Sequence, residues 1–318
     1  MIILVTGAGG FVGQHLLRHL AATHPGAELH GAVIQPLDGQ YVPASYHVLD
    51  LRSPAAVTEL FQQLMPTHLY HLAAQANVAR SYDLPLETLE NNILVQVNVL
   101  EAVRALPKPP RTVIISSGEI YGTDHAGEQP LDENAPLRPS SPYGVSKVTQ
   151  DMLGLQYYIS YKLSIMRARP FNHLGPGQNL GFVAPDFAMQ IARIEAGLQE
   201  PVMHVGSLSA ERDFTDVRDI VRAYRLIMET GEAGQAYNVA TGSTTSIKQV
   251  LDTLLQLSET PIEVRVDVNR IRPGSSHKSW GDSTRLRHTT GWEPEIRLEQ
   301  TLKDVLDDCR QRVKGAGR

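Results

Sequence analysis

Apolar residues recur along the first half of the chain in two alternating rhythms. Short runs rich in aliphatic residues, "IILVT", "AELHGAVI", "YHVLD", "THLYHLA" and "RTVIIS", read as strands. Between most of them lie longer stretches whose apolar positions repeat with a helical period: "GFVGQHLLRHLAA", "SPAAVTELFQQL" and "ETLENNILVQVNVLEAVRAL". Strand and helix in alternation predict a parallel sheet covered by helices on both faces, because each parallel neighbour is reached through a crossover. After "LSIMRARP" the rhythm breaks into loop-rich segments, "NHLGPGQNLGF", "RDFTDVRD" and "NRIRPGSSHKSWGD", mixed with helices. The expected fold class is α/β. Residues 1–170 are expected to form the sheet domain, with later segments returning to it, and 171–318 mainly a smaller C-terminal lobe.

The turn after the first run sharpens that picture. "TGAGGFVG" sets Gly7, Gly10 and Gly13 at three-residue intervals, with Gly9 as an extra, between the strand Ile2–Val5 and a helix expected to begin near Phe11. Glycines alone can mark nothing beyond a tight turn. In a strand–turn–helix context they let the backbone approach a pyrophosphate, toward which the helix N-terminus directs its unpaired N–H groups and positive dipole end. The reading is a Rossmann-type, doubly wound sheet that binds a dinucleotide. The end of the second strand, "VIQPLD", would ordinarily distinguish a ribose 2′-hydroxyl from a 2′-phosphate by an acid or a base. Here it offers Gln35, with Asp38 further along, and declares neither. Asp50, closing the third run, is placed either to reach the adenine edge or to cap the helix of "SPAAV".

Composition narrows the partners. The 318 residues are 42% hydrophobic, enough for a large α/β domain with an appended lobe. With 29 basic and 34 acidic residues the net charge is −5, and no long run of either sign suggests a nucleic-acid or membrane surface. One cysteine, Cys309, excludes an intrachain disulfide and a cysteine-rich metal site. "MIILVTGAGG" lacks the basic lead-in of a signal peptide and the length of a membrane span, so a cytoplasmic protein is expected. His15 and His19 share a helix face at metal-ligand spacing, but no carboxylate or cysteine converges on them in sequence. A solvated face without metal is expected.

Two further stretches carry candidate chemistry. In "SPYGVSK", Tyr143 and Lys147 are four residues apart on a predicted helix, about 5–6 Å from each other on one face. The pattern fits an amphipathic helix with an exposed lysine. It also fits an acid–base pair in which the ammonium lowers the phenol toward a value useful at neutral pH. "VIISSGEIYG" ends a buried strand in Ser116, Ser117, Gly118 and Glu119 at the carboxyl edge, where open α/β sheets bind ligands. Ser117 there supplies a second hydroxyl to a substrate oxygen beside Tyr143.

With "TGAGGFVG", "HLAAQ", "SSGEIYG", "SPYGVSK", "RPFNHLGPGQ", "RDFTDVRDIV", "YNVATG" and "TGWEP" in this order, essentially the whole chain resembles the extended short-chain dehydrogenase/reductase family of nucleotide-sugar enzymes. The resemblance is strongest to its GDP-sugar 4-keto reductases, and implies hydride transfer from NADPH or NADH (NADP/NAD) to the C4 ketone of a GDP-4-keto-6-deoxy sugar. It implies Ser117, Tyr143 and Lys147 as catalytic residues, Lys147 also holding the nicotinamide ribose. Glu119 corresponds to a base of the related 4,6-dehydratases, or only bonds a sugar hydroxyl. Gly118 stands where many dTDP-sugar dehydratases carry an acid. The cofactor site implied comprises Gly7, Gly10, Phe11, Val12, Gly13, Gln35, Asp50, Leu51, Leu72, Ala73 and Ala74, with Tyr143 and Lys147. The substrate site adds Asn172, Arg212 and Arg272 to Ser117 and Glu119. From the residues alone, Asn172 is also a turn former, and the two arginines are also surface ion-pair partners for Asp213 or Glu263. The expected partners are a GDP-sugar and a second copy of the chain, with no nucleic acid, membrane or metal. A 4,6-dehydratase, a 4-epimerase and a non-catalytic dinucleotide sensor are the alternatives.

Overall fold

The computed structural model describes residues 1–37, 42–122, 129–267 and 278–316. The strands are β1 Ile2–Thr6, β2 Glu28–Val33, β3 Ser45–Val48, β4 His68–His71, β5 Arg111–Ile115, β6 Ile165–Pro170, β7 Asn172–Leu174, β8 Val202–Val205, β9 Glu211–Arg212, β10 Phe214–Asp216, β11 Ala236–Val239, β12 Thr245–Ser246, β13 Glu263–Val266 and β14 Lys278–Ser279. The helices are α1 Phe11–Thr23, α2 Pro54–Leu64, α3 Val78–Asp83, α4 Pro85–Ala105, α5 Pro142–Tyr161, α6 Val183–Glu195, α7 Val217–Thr230, α8 Ile247–Gln256, α9 Thr284–Thr290 and α10 Leu298–Ala316.

Seven parallel strands form the central sheet in the order β11-β6-β5-β4-β1-β2-β3. The five runs read as strands supply β1 to β5. From β1 the chain winds outward through β2 and β3, then returns to place β4 on the opposite side of β1. That reversal opens a crevice beyond the carboxyl ends of β1 and β4, where doubly wound sheets bind ligands. β11, from the second half of the chain, completes the edge beside β6.

Helices cover both faces. Leu16, Leu17 and Leu20 of α1 pack with Ile220, Tyr224 and Ile227 of α7 over one face, while Phe61 of α2 and Val99 and Val103 of α4 cover the other. Each such side chain, fully removed from water, contributes roughly 1.5–3 kcal/mol before entropy is counted. A separate apolar cluster joins Phe187 and Ile191 of α6, Leu251 of α8 and Leu306 of α10. Among the described residues no helix is long and apolar enough to cross a membrane.

Candidate active site

The glycine turn is built as its sequence requires. Gly7 leaves β1 with φ +70, a left-handed conformation natural to glycine, and a Cβ there would stand 2.9 Å from the Ala73 amide nitrogen. A Cβ on Gly13 would lie 2.4 Å from the Gly7 carbonyl oxygen, so this glycine lets α1 sit directly on the turn. The helix begins at Phe11, and its N-cap Gly10 provides no side-chain acceptor. Its first N–H groups therefore face the crevice without a side-chain cap, as an anion site needs. A cradle that a Cβ would fill, at a helix N-terminus, fits a dinucleotide pyrophosphate.

The crevice is a cleft of about 770 Å³. Every residue assigned to the cofactor lines it: Gly7, Gly10, Phe11, Val12, Gly13, Gln35, Asp50, Leu51, Leu72, Ala73, Ala74, Tyr143 and Lys147. Asp50 is forked by the Arg52 guanidinium, with Nη2 at 2.6 Å from Oδ2, and these hydrogen bonds hold its carboxyl below the usual range. The helix cap is Ser53, which accepts from the Ala56 amide at 3.4 Å. Asp38 and Arg272 lie outside the described residues.

Ser141 caps α5 by accepting from Gly144 N at 3.0 Å, and Pro142 sets the first helical φ, so Tyr143 and Lys147 project from the opening turns. The Lys147 ammonium donates to the Ile115 carbonyl at 2.9 Å and lies 5.9 Å from the centre of the Tyr143 ring. It is buried, and burial lowers it to about 7. The Tyr143 phenol shifts the other way from the sequence reading. Burial pushes it up, the neighbouring Ser117 hydroxyl opposes the rise, and the Glu119 carboxylate adds to it. The ammonium is spent on a main-chain carbonyl and the ring face, and does not offset the desolvation of the hydroxyl.

Ser117 ends the β5 exit as N-cap of a short 3-10 turn, Gly118–Ile120, accepting from Glu119 N at 3.2 Å. Ser117, Gly118 and Glu119 all line the cleft. A Cβ on Gly118 would meet the Phe171 ring at 3.0 Å, so the position has little room for an acid. Glu119 is raised by burial, a rise that the Arg212 charge opposes. Arg212, on β9, therefore faces the glutamate electrostatically, and its own head donates to the Glu211 carbonyl at 2.9 Å. It is outside the lining of the cleft. Asp213 accepts from Thr241 N at 2.9 Å, Thr241 Oγ1 at 2.7 Å and Gly242 N at 2.9 Å, while Glu263 pairs with Arg265 at 2.8 Å. Asn172, leaving β6 for β7, lines the cleft.

The histidine face of α1 departs from the solvated surface expected. His15 Nε2 contacts the Pro176 carbonyl oxygen at 2.8 Å, and His19 Nε2 accepts from Arg225 at 3.0 Å. Burial and then the Arg225 charge lower His19 to about 4. The described residues contain no cluster of His, Cys, Asp or Glu able to hold a metal ion. The sequence reading passed over other cleft residues: Gln75, Arg80, Glu87, Asn91, His173, Gln178 and Tyr224. Gln75 closes "HLAAQ" and His173 follows Asn172, so proximity to known motifs was the available signal. Arg80 and Glu87, paired at 2.7 Å, come from α3 and α4, whose approach to the cleft is a tertiary matter.

A dinucleotide cradle on a doubly wound sheet, with a serine and a Tyr-x-x-x-Lys pair at its carboxyl edge, defines an extended short-chain dehydrogenase/reductase. Comparison places it more closely: residues 4–305 match the GDP-mannose 4,6 dehydratase family, and the chain belongs to that family. It is 37% identical to a GDP-6-deoxy-D-mannose reductase of Pseudomonas aeruginosa, over 98% of each chain. The structure of RMD from Pseudomonas aeruginosa complexed with NADPH superposes with a TM-score of 0.87 at 36% identity, covering 98% of this chain and 99% of that one. The Thermus thermophilus UDP-glucose 4-epimerase complex with NAD gives a TM-score of 0.86 at 30% identity, covering 98% and 99%.

Proposed function

We infer that the protein reduces the C4 ketone of GDP-4-dehydro-6-deoxy-D-mannose to GDP-D-rhamnose, using NADPH or NADH. The observation that carries the reading is the convergence of Ser117, Tyr143 and the buried Lys147 on one wall of the cleft. When bound, a reduced nicotinamide supplies hydride to the ketone carbon. The chain's own groups handle the proton. Tyr143 stays neutral because ionising it in this dry site is costly, and its hydroxyl is therefore available to protonate the C4 oxygen as negative charge develops there. Ser117, lining the same cleft, offers its hydroxyl to the same substrate oxygen. Lys147, balanced near neutrality, holds the cofactor ribose through the nitrogen that also bonds Ile115. Asn172 bonds the sugar or its phosphate. Arg212 and Arg272 are assigned to the diphosphate, Arg212 drawing on its charge beside Glu119. Gln35 carries no charge, which supports use of both cofactors.

A 4,6-dehydratase is the second reading, favoured by the buried carboxylate of Glu119 next to the two hydroxyls. The 37% identity to a GDP-6-deoxy-D-mannose reductase supports reduction instead. The test supplies the 4-keto GDP-sugar with each reduced cofactor and identifies the product by NMR. GDP-rhamnose is expected. Efficient conversion of GDP-mannose to the 4-keto-6-deoxy sugar, without ketone reduction, would overturn the reading.

A cytoplasmic homodimer belongs to the same proposal. The outer faces of α4 and α5 expose Leu94, Val145 and Ile159, an apolar surface on two adjacent helices. Light scattering during gel filtration is expected to give twice the 35.0 kDa chain mass.

A further inference from the structure

Behind the cleft lies a buried polar network that the reaction does not use directly. Asp151 is one turn beyond Lys147 on α5, fully buried, and receives two guanidinium groups from β6. Arg167 Nη1 reaches Oδ1 at 2.6 Å; Arg169 forks the carboxylate, Nε to Oδ2 at 2.9 Å and Nη2 to Oδ1 at 2.9 Å. Burial would raise Asp151, but the two arginines hold it below the ordinary carboxylate range. The remaining arm of Arg169 turns the other way. Its Nη1 donates to the Tyr121 hydroxyl at 3.0 Å and to the Glu133 carbonyl at 3.0 Å.

Tyr121 closes the 3-10 turn that carries Ser117 and Glu119. It is fully buried, and its hydroxyl donates to Asn238 Oδ1 at 2.7 Å, so that oxygen both accepts and donates. The ring stacks on Phe171 at 6.0 Å, and Phe171 is the ring against which Gly118 is pressed. Asn238 in turn donates to the Leu131 carbonyl at 2.8 Å, and its amide donates to Glu133 Oε1 at 2.8 Å. One guanidinium therefore joins the helix bearing Tyr143 and Lys147 to the turn bearing Ser117.

We propose that Arg169 is a positioning residue, which sets the approach of the Ser117 and Tyr143 hydroxyls by gripping α5 through Asp151 and the Ser117 turn through Tyr121. The two hydroxyls come from segments that no shared secondary structure aligns. α5 is tied to the end of β5 by Lys147 Nζ on the Ile115 carbonyl at 2.9 Å and by Ser116 Oγ on the Lys147 carbonyl at 3.4 Å. The fork on Asp151 and the single bond to Tyr121, both from the strand neighbouring β5, extend that tie to the 3-10 turn that follows Ser117. A small misplacement of catalytic groups can cost about 10²-fold in rate, so such a post has catalytic weight without touching substrate.

The proposal rests on Ser117 and Tyr143 acting as the proton-donating pair, and its test separates the two claims. Replacing Arg169 itself would leave Asp151 and Arg167 rearranged in the core, so Tyr121→Phe is the informative change: it keeps the ring and the Asp151 fork and removes one hydroxyl. Tyr157→Phe is the matched control, since Tyr157 on α5 loses a bond of 2.6 Å to Glu101 remote from the Ser117 turn. Tyr121→Phe is expected to lower kcat by roughly 10- to 100-fold, with the KM for the keto sugar and the affinity for NADPH in fluorescence titration unchanged. Tyr157→Phe is expected to lower Tm without lowering kcat. Crystal structures of both variants are expected to show a longer Ser117–Tyr143 separation in Tyr121→Phe only. Wild-type kcat in Tyr121→Phe, equal kcat losses in both variants, or an unchanged separation would overturn the proposal. Absence of ketone reduction by the wild type would count against the proposed function alone, because the crystallographic separation still decides the positioning role.

Discussion

Tyr143 and Glu119 share one dry corner, and burial acts on both in the same direction: each is pushed toward its neutral form. For the phenol that is an asset, since a neutral hydroxyl is a proton donor. Tyr143→Phe keeps the ring packed and removes only the donor, so kcat is expected to fall roughly 10²- to 10⁴-fold while cofactor affinity holds. Steady-state kinetics with parallel NADPH titration checks this; near-wild-type turnover would remove Tyr143 from the mechanism. For the carboxyl, a raised value strengthens the ionised form as a base, but ketone reduction at C4 moves no C5 proton. Glu119→Gln is therefore expected to retain ketone reduction within about 10-fold, the loss coming from a weaker hydrogen bond to the sugar. Efficient conversion of GDP-mannose by the wild type, abolished in Glu119→Gln, would favour dehydration.

At the scale of elements, α1 is seated on the turn that precedes it with no space to spare. Gly13→Ala would bring a methyl to 2.4 Å from the Gly7 carbonyl oxygen and 2.8 Å from Ala8 Cα, both main-chain atoms that cannot rotate away. The helix must lift, and overpacking of this kind costs about 1–3 kcal/mol. Lower Tm and weaker NADPH binding are expected together, because the same N-terminus holds the pyrophosphate. Gly26→Ala, where an added Cβ has no neighbour within 4 Å, is the control expected to change neither. The two readouts are a thermal melt and a calorimetric titration.

The whole molecule stores several neutral histidines. Burial, then the Lys147 charge, lowers His71 to about 3, and burial lowers His173 as well. His71 Nδ1 meets Thr6 Oγ1 at 2.7 Å, which ties the ends of β4 and β1 beneath the cleft. A histidine whose folded value lies below its unfolded value of 6.5 binds fewer protons folded than unfolded in the interval between them. Stability is thus greatest above pH 6.5 and falls as pH drops, for His19 down to about 4 and for His71 down to about 3. Chemical denaturation from pH 8 to pH 4 is expected to show a falling midpoint below about pH 6.5. A flat profile would mean that these histidines are as easily protonated folded as unfolded.

Much of the sheet was legible because strand and helix periods are local. The runs from "IILVT" to "RTVIIS" became β1 to β5, and "TGAGGFVG" became a turn in which Gly7 and Gly13 are required by backbone geometry. Tyr143 and Lys147 were legible for the same reason: Ser141 and Pro142 start the helix, and four residues bring the pair to one face. What the sequence by itself did not determine depends on segments far apart in the chain. The return of residues 236–239 to the edge of the sheet, the pairing of His19 with Arg225, the Arg212 charge beside Glu119, and the shared grip of Arg169 on Asp151 and Tyr121 all join parts that no local rule relates. The direction of the Tyr143 shift belongs with them. Spacing placed a cation near the phenol, but burial sets the balance, and burial exists only once the chain has closed around the site.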